Sequence, residues 1–156
     1  MSVTASWGGG GGYGVLVHGG AGDVPPDRIP RHIEGCRAAV ERARPILERG
    51  GSALDAVQAA VEVLEDDPHF NAGTGACLTA DGRLELDAAL MEGSALRAGA
   101  VCAMGPFKNP IQIARAVLEE GTHVLYAAAG AEAFARQAGF APADPESMIT
   151  AWAREK

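Results

Sequence analysis

From Arg31 to Arg49, the apolar residues Ile33, Cys36, Val40, Ala43 and Leu47 recur at the spacing of one helix face. Pro45 lies inside that stretch and predicts a kink or a tightened last turn, because proline lacks an N–H and its ring presses on the preceding turn. Gly50-Gly51 stop the helix, since glycine tolerates the left-handed backbone found at helix C-termini. Ser52 opens a second helix and pairs with Asp55 in a capping-box-like arrangement, side-chain oxygens receiving first-turn N–H groups. Leu54, Val57, Val61 and Leu64 form its expected buried stripe, and Asp66-Asp67-Pro68 ends it. Ala76–Thr79 and Leu84–Ala88 flank Asp81-Gly82, a hairpin pattern. Ala98–Met104 reads as a buried strand of small residues, and Val124–Ala128 as another. Between them, Asn109-Pro110 predicts an N-cap with proline at the first helical position, opening a helix through Glu120 that Gly121 closes. A short helix ends near Gly139, and Asp144-Pro145 starts a last helix through Trp152. Near the beginning, Val15-Leu16-Val17 reads as a short buried strand that stops at a glycine cluster.

Strands and helices alternate, while the Asp81-Gly82 hairpin adds an antiparallel element, so the pattern allows mixed α/β or α+β. No internal repeat or linker divides the chain, and one domain is expected over 14–156. Residues 1–13 read as a flexible glycine-rich extension. Its formal G-x-G-x-x-G match at Gly9, Gly11 and Gly14 precedes a strand, whereas a dinucleotide loop must follow one. At 156 residues, 47% hydrophobic and 21% charged, the chain is long and apolar enough for a core. With 5% aromatics and abundant Ala and Gly, that core is weak per residue, which hints at burial against a partner chain.

Net charge is −7 with no cluster of Lys and Arg, which argues against nucleic acid. Arg37, Arg42, Arg44 and Arg49 interleave with Glu34, Glu41 and Glu48, the pattern of a solvated helix face. No apolar run approaches the ~20 residues that span a bilayer, and no secretory leader is read at the start. Cys36, Cys77 and Cys102 are an odd number without C-x-x-C spacing, so buried free thiols and a cytoplasmic location are expected. His18, His32, His69 and His123 never pair at zinc-ligand spacing.

Two glycine-rich segments could carry chemistry. His18-Gly19-Gly20-Ala21-Gly22 can cradle an anion or brace a reacting centre, or it can be a plain turn. In Phe70-Asn71-Ala72-Gly73-Thr74-Gly75, Asn71 offers one amide acceptor and two donors on a loop open to close approach, or it is a turn asparagine. The helix end at Leu64–Pro68 leaves carbonyls that suit either water or a hard cation. Glu85, Asp87 and Glu92 read as exposed strand carboxylates, and no nucleophile elbow is present.

The order of these segments adds what none gives separately. After the glycine cluster come Gly50-Gly51-Ser52-Ala53-Leu54-Asp55-Ala56-Val57, then Leu64-Glu65-Asp66-Asp67-Pro68-His69-Phe70-Asn71-Ala72-Gly73. Glu85-Leu86-Asp87-Ala88-Ala89-Leu90-Met91-Glu92-Gly93, Ala98-Gly99-Ala100-Val101 and Asn109-Pro110 complete the series. Over roughly Val15 to Gly139 this resembles the plant-type L-asparaginase/isoaspartyl aminopeptidase (β-aspartyl peptidase) family of N-terminal-nucleophile threonine hydrolases, specifically its α subunit.

The resemblance implies an α+β fold, an αββα four-layer sandwich completed by a β chain absent from this sequence. It implies autocatalytic cleavage before a threonine that becomes the β chain's N-terminus. That threonine is the nucleophile for β-aspartyl isopeptide bonds, L-asparagine or both, releasing L-aspartate. No Gly-Thr-Val-Gly occurs here; the Gly-Thr pairs, Gly73-Thr74 and Gly121-Thr122, fall in internal structure, and the tail after Gly139 matches the segment before the cut. Asn71 matches the asparagine that helps orient the nucleophile, and Gly19 and Gly20 match the loop packed at the cleavage junction. The carbonyls of Leu64, Glu65, Asp67, Phe70, Ala72 and Thr74 match a loop that binds sodium in several members. The expected assembly is an (αβ)2 heterotetramer without an organic cofactor. Alternatives are a glycosylasparaginase or taspase-like member, or a non-catalytic metabolite- or anion-binding module built on the glycine loops.

Overall fold

The computed structural model describes residues 12–155, so the extension and the rejected glycine motif lie largely outside the described residues. Helices α1 (Ile29–Glu48) and α2 (Ala53–Asp66) pack on each other through Ala39, Ala43, Ala56 and Ala60. The stripes expected from larger residues are corrected: Ile33 is 50% and Val57 45% exposed. Alanines let the helices approach closely, while Leu47 and Leu64 flank that seam and Leu54 and Val61 pack on the main core as expected. The predicted punctuation between the helices holds. Gly50 has φ +76, and the Ser52 hydroxyl accepts the Asp55 N–H at 3.0 Å. Val15 and Val17 rest on this alanine seam, with Leu16 83% exposed between them. That alternation is a strand's, yet among the described residues the segment joins no ladder.

Strands β1 (Leu86–Glu92) and β2 (Arg97–Met104) pair antiparallel, and β3 (Leu125–Ala127) joins β2 in parallel, giving the order β1-β2-β3. The expected Asp81-Gly82 hairpin shrinks to one bridge, Leu78 with Leu84, although Gly82 makes the turn at φ +79. Between Leu86 and Ala88 the β1–β2 register shifts, and the Ala103 N–H is taken by the Asp87 carboxylate at 2.7 Å. Asp87 thereby replaces a ladder acceptor at the bulge.

Helix α3 (Pro110–Glu120) lies across β1 and β2, with its backbone at Ala114 and Leu118 so close to Gly99 that no side chain fits there. Helix α4 (Ala128–Gln137) follows β3 directly and covers β2 and β3. Leu86, Leu90, Val101 and Met104 meet Ile111, Ala114 and Leu118 in the main core. The expected terminal helix is two short ones, α5 (Pro145–Met148) and α6 (Ala151–Glu155). Asp144 and Thr150 each cap a separate start, accepting the N–H of Glu146 and of Ala153, and Ile149 between them is extended.

The sheet has two unlike faces. Leu90 opposite Gly99 and Ala88 opposite Val101 point toward the helices. Ala89 opposite Ala100 and Met91 opposite Ala98 point the other way, as do Leu125 and Ala127 beside Ala100 and Cys102. Met91 is 58% and Leu125 53% exposed. Among the described residues this apolar face is only partly covered, whereas the solvent face of a sheet normally alternates to polar residues.

Candidate active site

Phe70 joins the two glycine segments. Its ring, 3% exposed, occupies a slot between Gly19 and Gly35. A Cβ on Gly19 would lie 2.7 Å from the Cys36 sulfur and 3.0 Å from the Phe70 ring. A Cβ on Gly35 would also press into the ring and lie 2.9 Å from an Asp67 carboxylate oxygen. Both positions need glycine because the ring fills the space. The His18–Gly22 loop is thus held against the residue preceding Asn71. Gly20 has φ +108, and its N–H meets Nδ1 of His18 at 3.2 Å, so that imidazole turns back on its own loop.

Asn71 is exposed, and its Oδ1 accepts the Cys77 N–H at 2.7 Å. A backbone N–H only donates, so the oxygen end of the carboxamide must face Cys77. The Nδ2 donors are therefore the end presented outward. Gly75, inside the same loop, has φ +94 and directs its N–H to the Met148 carbonyl at 2.8 Å.

The loop after α2 coils tightly. The Thr74 N–H reaches the Glu65 carbonyl at 2.7 Å, and the Phe70 N–H reaches that of Asp67 at 3.1 Å. Added Cβ atoms at Gly73 and Gly75 would meet the carbonyl oxygens of Glu65 at 2.5 Å and of Pro68 at 2.7 Å. These contacts place the Glu65 carbonyl beside Gly73 and the Pro68 and Phe70 carbonyls beside Gly75, each with a second lone pair left after one hydrogen bond. Among the described residues, no group of three or more His, Cys, Asp or Glu side chains is placed to hold a metal.

The Glu65 side chain is a feature that the sequence reading missed. It is 3% exposed, and its Oε1 accepts the Ile111 N–H at 3.1 Å, capping α3 from another helix. Among the described residues Oε2 is buried with no hydrogen-bond partner within bonding geometry, although the Asn109 side chain lies near enough to favour the charged form. Burial pushes this carboxyl up to about 8, against the opposing pull of the Ile111 N–H. The capping role expected for Asn109 is corrected accordingly. Asn109 stands at the N-cap position in a left-handed conformation, and its side-chain amide goes to Asp66 at 3.1 Å. Glu65 continues the helical spacing of Leu54 and Val61, a carboxylate in register with buried residues.

The other candidates serve locally. Glu92 binds Ser94 and Arg97, and Glu85 lies 3.5 Å from Arg83. Among the described residues Cys36, Cys77 and Cys102 form no disulfide and are only half-buried, a correction to the expectation of buried thiols. Burial nonetheless raises the Cys36 pKa. Among the described residues, no helix is long and apolar enough to cross a membrane.

The glycine slot, the Asn71 loop and the sheet behind them follow one another in a fixed order along the chain. A sequence model of asparaginases matches residues 12–156, which include all of these parts. The chain belongs to the asparaginase family. This asparaginase-family chain is 52% identical over 141 residues to the plant-type L-asparaginase of Thermococcus kodakarensis, covering 88% of this chain and 46% of that protein. With the plant-type L-asparaginase of Pyrococcus furiosus it shares 54% over 132 residues, covering 84% and 43%. With the isoaspartyl peptidase/L-asparaginase of Danio rerio it shares 44% over 140 residues, covering 90% and 45%. The asparaginase-family chain thus spans under half the length of these curated relatives.

Proposed function

We propose that this chain is the α half of a two-chain N-terminal-nucleophile hydrolase that cleaves β-aspartyl isopeptide bonds, L-asparagine or both. The observation that carries this reading is the partly exposed apolar sheet face formed by Ala89, Met91, Ala98, Ala100, Leu125 and Ala127. Relatives more than twice as long have, beyond the matched region, enough further chain to cover such a face. A second sheet laid on it gives the four-layer αββα sandwich, and the unpaired Val15–Val17 segment gains a ladder neighbour. Autocatalytic cleavage of a common precursor would produce the two chains, and pairs of such dimers an (αβ)2 assembly. Three cysteines without a disulfide among the described residues suit a reducing cytoplasm.

In this reading the second chain begins with the nucleophilic threonine, whose hydroxyl attacks the substrate's side-chain carbonyl while its α-amine takes the proton. Asn71 lends a donor, not a base. Its Oδ1 is occupied by the Cys77 N–H, so Nδ2–H hydrogen-bonds to the threonine oxygen and orients it. The Gly19–Gly20 loop, backed by Phe70, presents unobstructed backbone beside the junction. The C–N bond then breaks, ammonia or the peptide's amine leaving with the proton that the α-amine took up, and water hydrolyses the resulting threonyl ester of aspartate to release aspartate and restore the hydroxyl. A sodium ion held by carbonyls of Leu64, Glu65, Asp67, Phe70, Ala72 and Thr74 would stiffen the loop that carries Asn71. Replacing sodium by choline in the buffer should then lower the melting temperature by ~2–4 °C, corresponding to about 1 kcal/mol. An unchanged melting temperature contradicts the ion's role.

The assembled protein tests the activity directly. It should release aspartate from L-asparagine or a β-aspartyl dipeptide and leave the α-aspartyl isomer intact. Inertness toward both side-chain-linked substrates contradicts the assignment.

A further inference from the structure

The C-terminal segment is built into the candidate site. The Gly75 N–H donates to the Met148 carbonyl at 2.8 Å. Two residues on, the Cys77 N–H holds Oδ1 of Asn71. The stretch from Asn71 to Cys77 is therefore closed by its own side chain and tied at its middle to α5. Met148 is a firm anchor, 2% exposed and part of the main core. Beyond it, Ala153 is 3% exposed, and the Arg28 guanidinium stands 4.2 Å over the Trp152 ring, joining α6 to the start of α1. Upstream, the Ala143 N–H bonds the Pro106 carbonyl at 2.8 Å, so the segment is fixed at both ends.

We infer that Met148 is a positioning residue for Asn71, the docked segment Asp144–Glu155 setting the direction in which the Asn71 donors point. The inference rests on the proposed role of Asn71, but its mechanical part stands apart from it. If Met148 shifts, the Gly75 N–H loses its acceptor, and Gly75 to Cys77 are free to move. Oδ1 of Asn71 then loses its fixed partner, and Nδ2 its aim. A stretch expected to be a polar tail before a cleavage site thus acts as a brace.

Amide hydrogen exchange and steady-state kinetics on the assembled enzyme test this with Met148→Ala, Met148→Leu and Trp152→Ala. Met148→Ala should speed exchange at Gly75 and Cys77 by about tenfold or more while the β1–β2 amides stay protected. It should also lower kcat by roughly 3- to 10-fold with KM nearly unchanged, because orientation is lost and not substrate binding. Met148→Leu should restore both readouts. If Met148→Ala does not fold, Trp152→Ala at the half-buried α6 contact should show the same direction of change. Unchanged exchange at Gly75 in the folded variant overturns the inference, as does faster exchange with unchanged kcat. A wild-type enzyme inactive on β-aspartyl substrates overturns the proposed function alone, since the exchange readout needs no turnover.

Discussion

The carboxamide of Asn71 has one settled orientation because Cys77 offers it only a donor. Asn71→Asp keeps that acceptor and removes the outward donors, whereas Asn71→Ala removes both. Both variants should lose turnover by roughly 10²–10³-fold, the scale for an oriented donor at a reacting centre. Asn71→Asp should keep wild-type stability, measured by thermal unfolding alongside kcat; a fully active Asn71→Asp contradicts the donor role. Glu65 poses a different residue-scale question. Its carboxyl is raised to about 8 in the fold, while an unfolded glutamate titrates near about 4.3. Above the lower value the unfolded chain has given up a proton that the folded chain keeps, so stability falls as pH rises through the folded value. Glu65→Gln keeps the acceptor for Ile111 and removes the titration. Between about pH 5 and about pH 8, urea unfolding should show the wild type losing at least about 1 kcal/mol more than the variant. Parallel losses contradict this. The loop that carries Asn71 was legible in the sequence from Gly73 and Gly75 after it. Glu65 was not, because its environment is made by Ile111, 46 positions away.

At the scale of elements, the slot for Phe70 sets two effects against each other at Gly35. Alanine in the middle of a helix is favoured over glycine by about 1 kcal/mol. A Cβ there meets the ring and lies 2.9 Å from the Asp67 carboxylate, and overpacking of this kind costs about 1–3 kcal/mol. Both neighbours are held, the ring by Gly19 on its other side and Asp67 by His69 at 2.7 Å, so the clash should prevail. Denaturant unfolding should find Gly35→Ala less stable than wild type, and a gain in stability contradicts the slot. Helix limits were legible from their punctuation, since Pro, Gly and Ser act locally. Which helix face is buried was not. Periodicity favours the largest residues, Ile33 and Val57, whereas contact between α1 and α2 selects the alanines. The Asp144 cap was legible for the same local reason, but the break at Ile149 was masked by Thr150, which looks like an ordinary helical residue until its hydroxyl caps Ala153.

At the scale of the whole molecule, a sheet with one face covered by helices and an apolar face left partly exposed is what the proposed layered assembly would complete. The paucity of aromatics and the wealth of small residues already pointed to a core that continues elsewhere. Alternation in Leu86–Glu92 could not show which face is open, because Ala88 and Ala89 are alike in sequence and differ only in what α3 covers. The order of motifs carried the family, and the exposed sheet face is where the proposed second chain would sit. N-terminal sequencing with intact mass of the protein purified from its native source tests the central claim most directly. The account predicts a companion chain of comparable size that begins with threonine and copurifies with this one. This chain folded and monodisperse by itself, with no threonine-led companion, would contradict it.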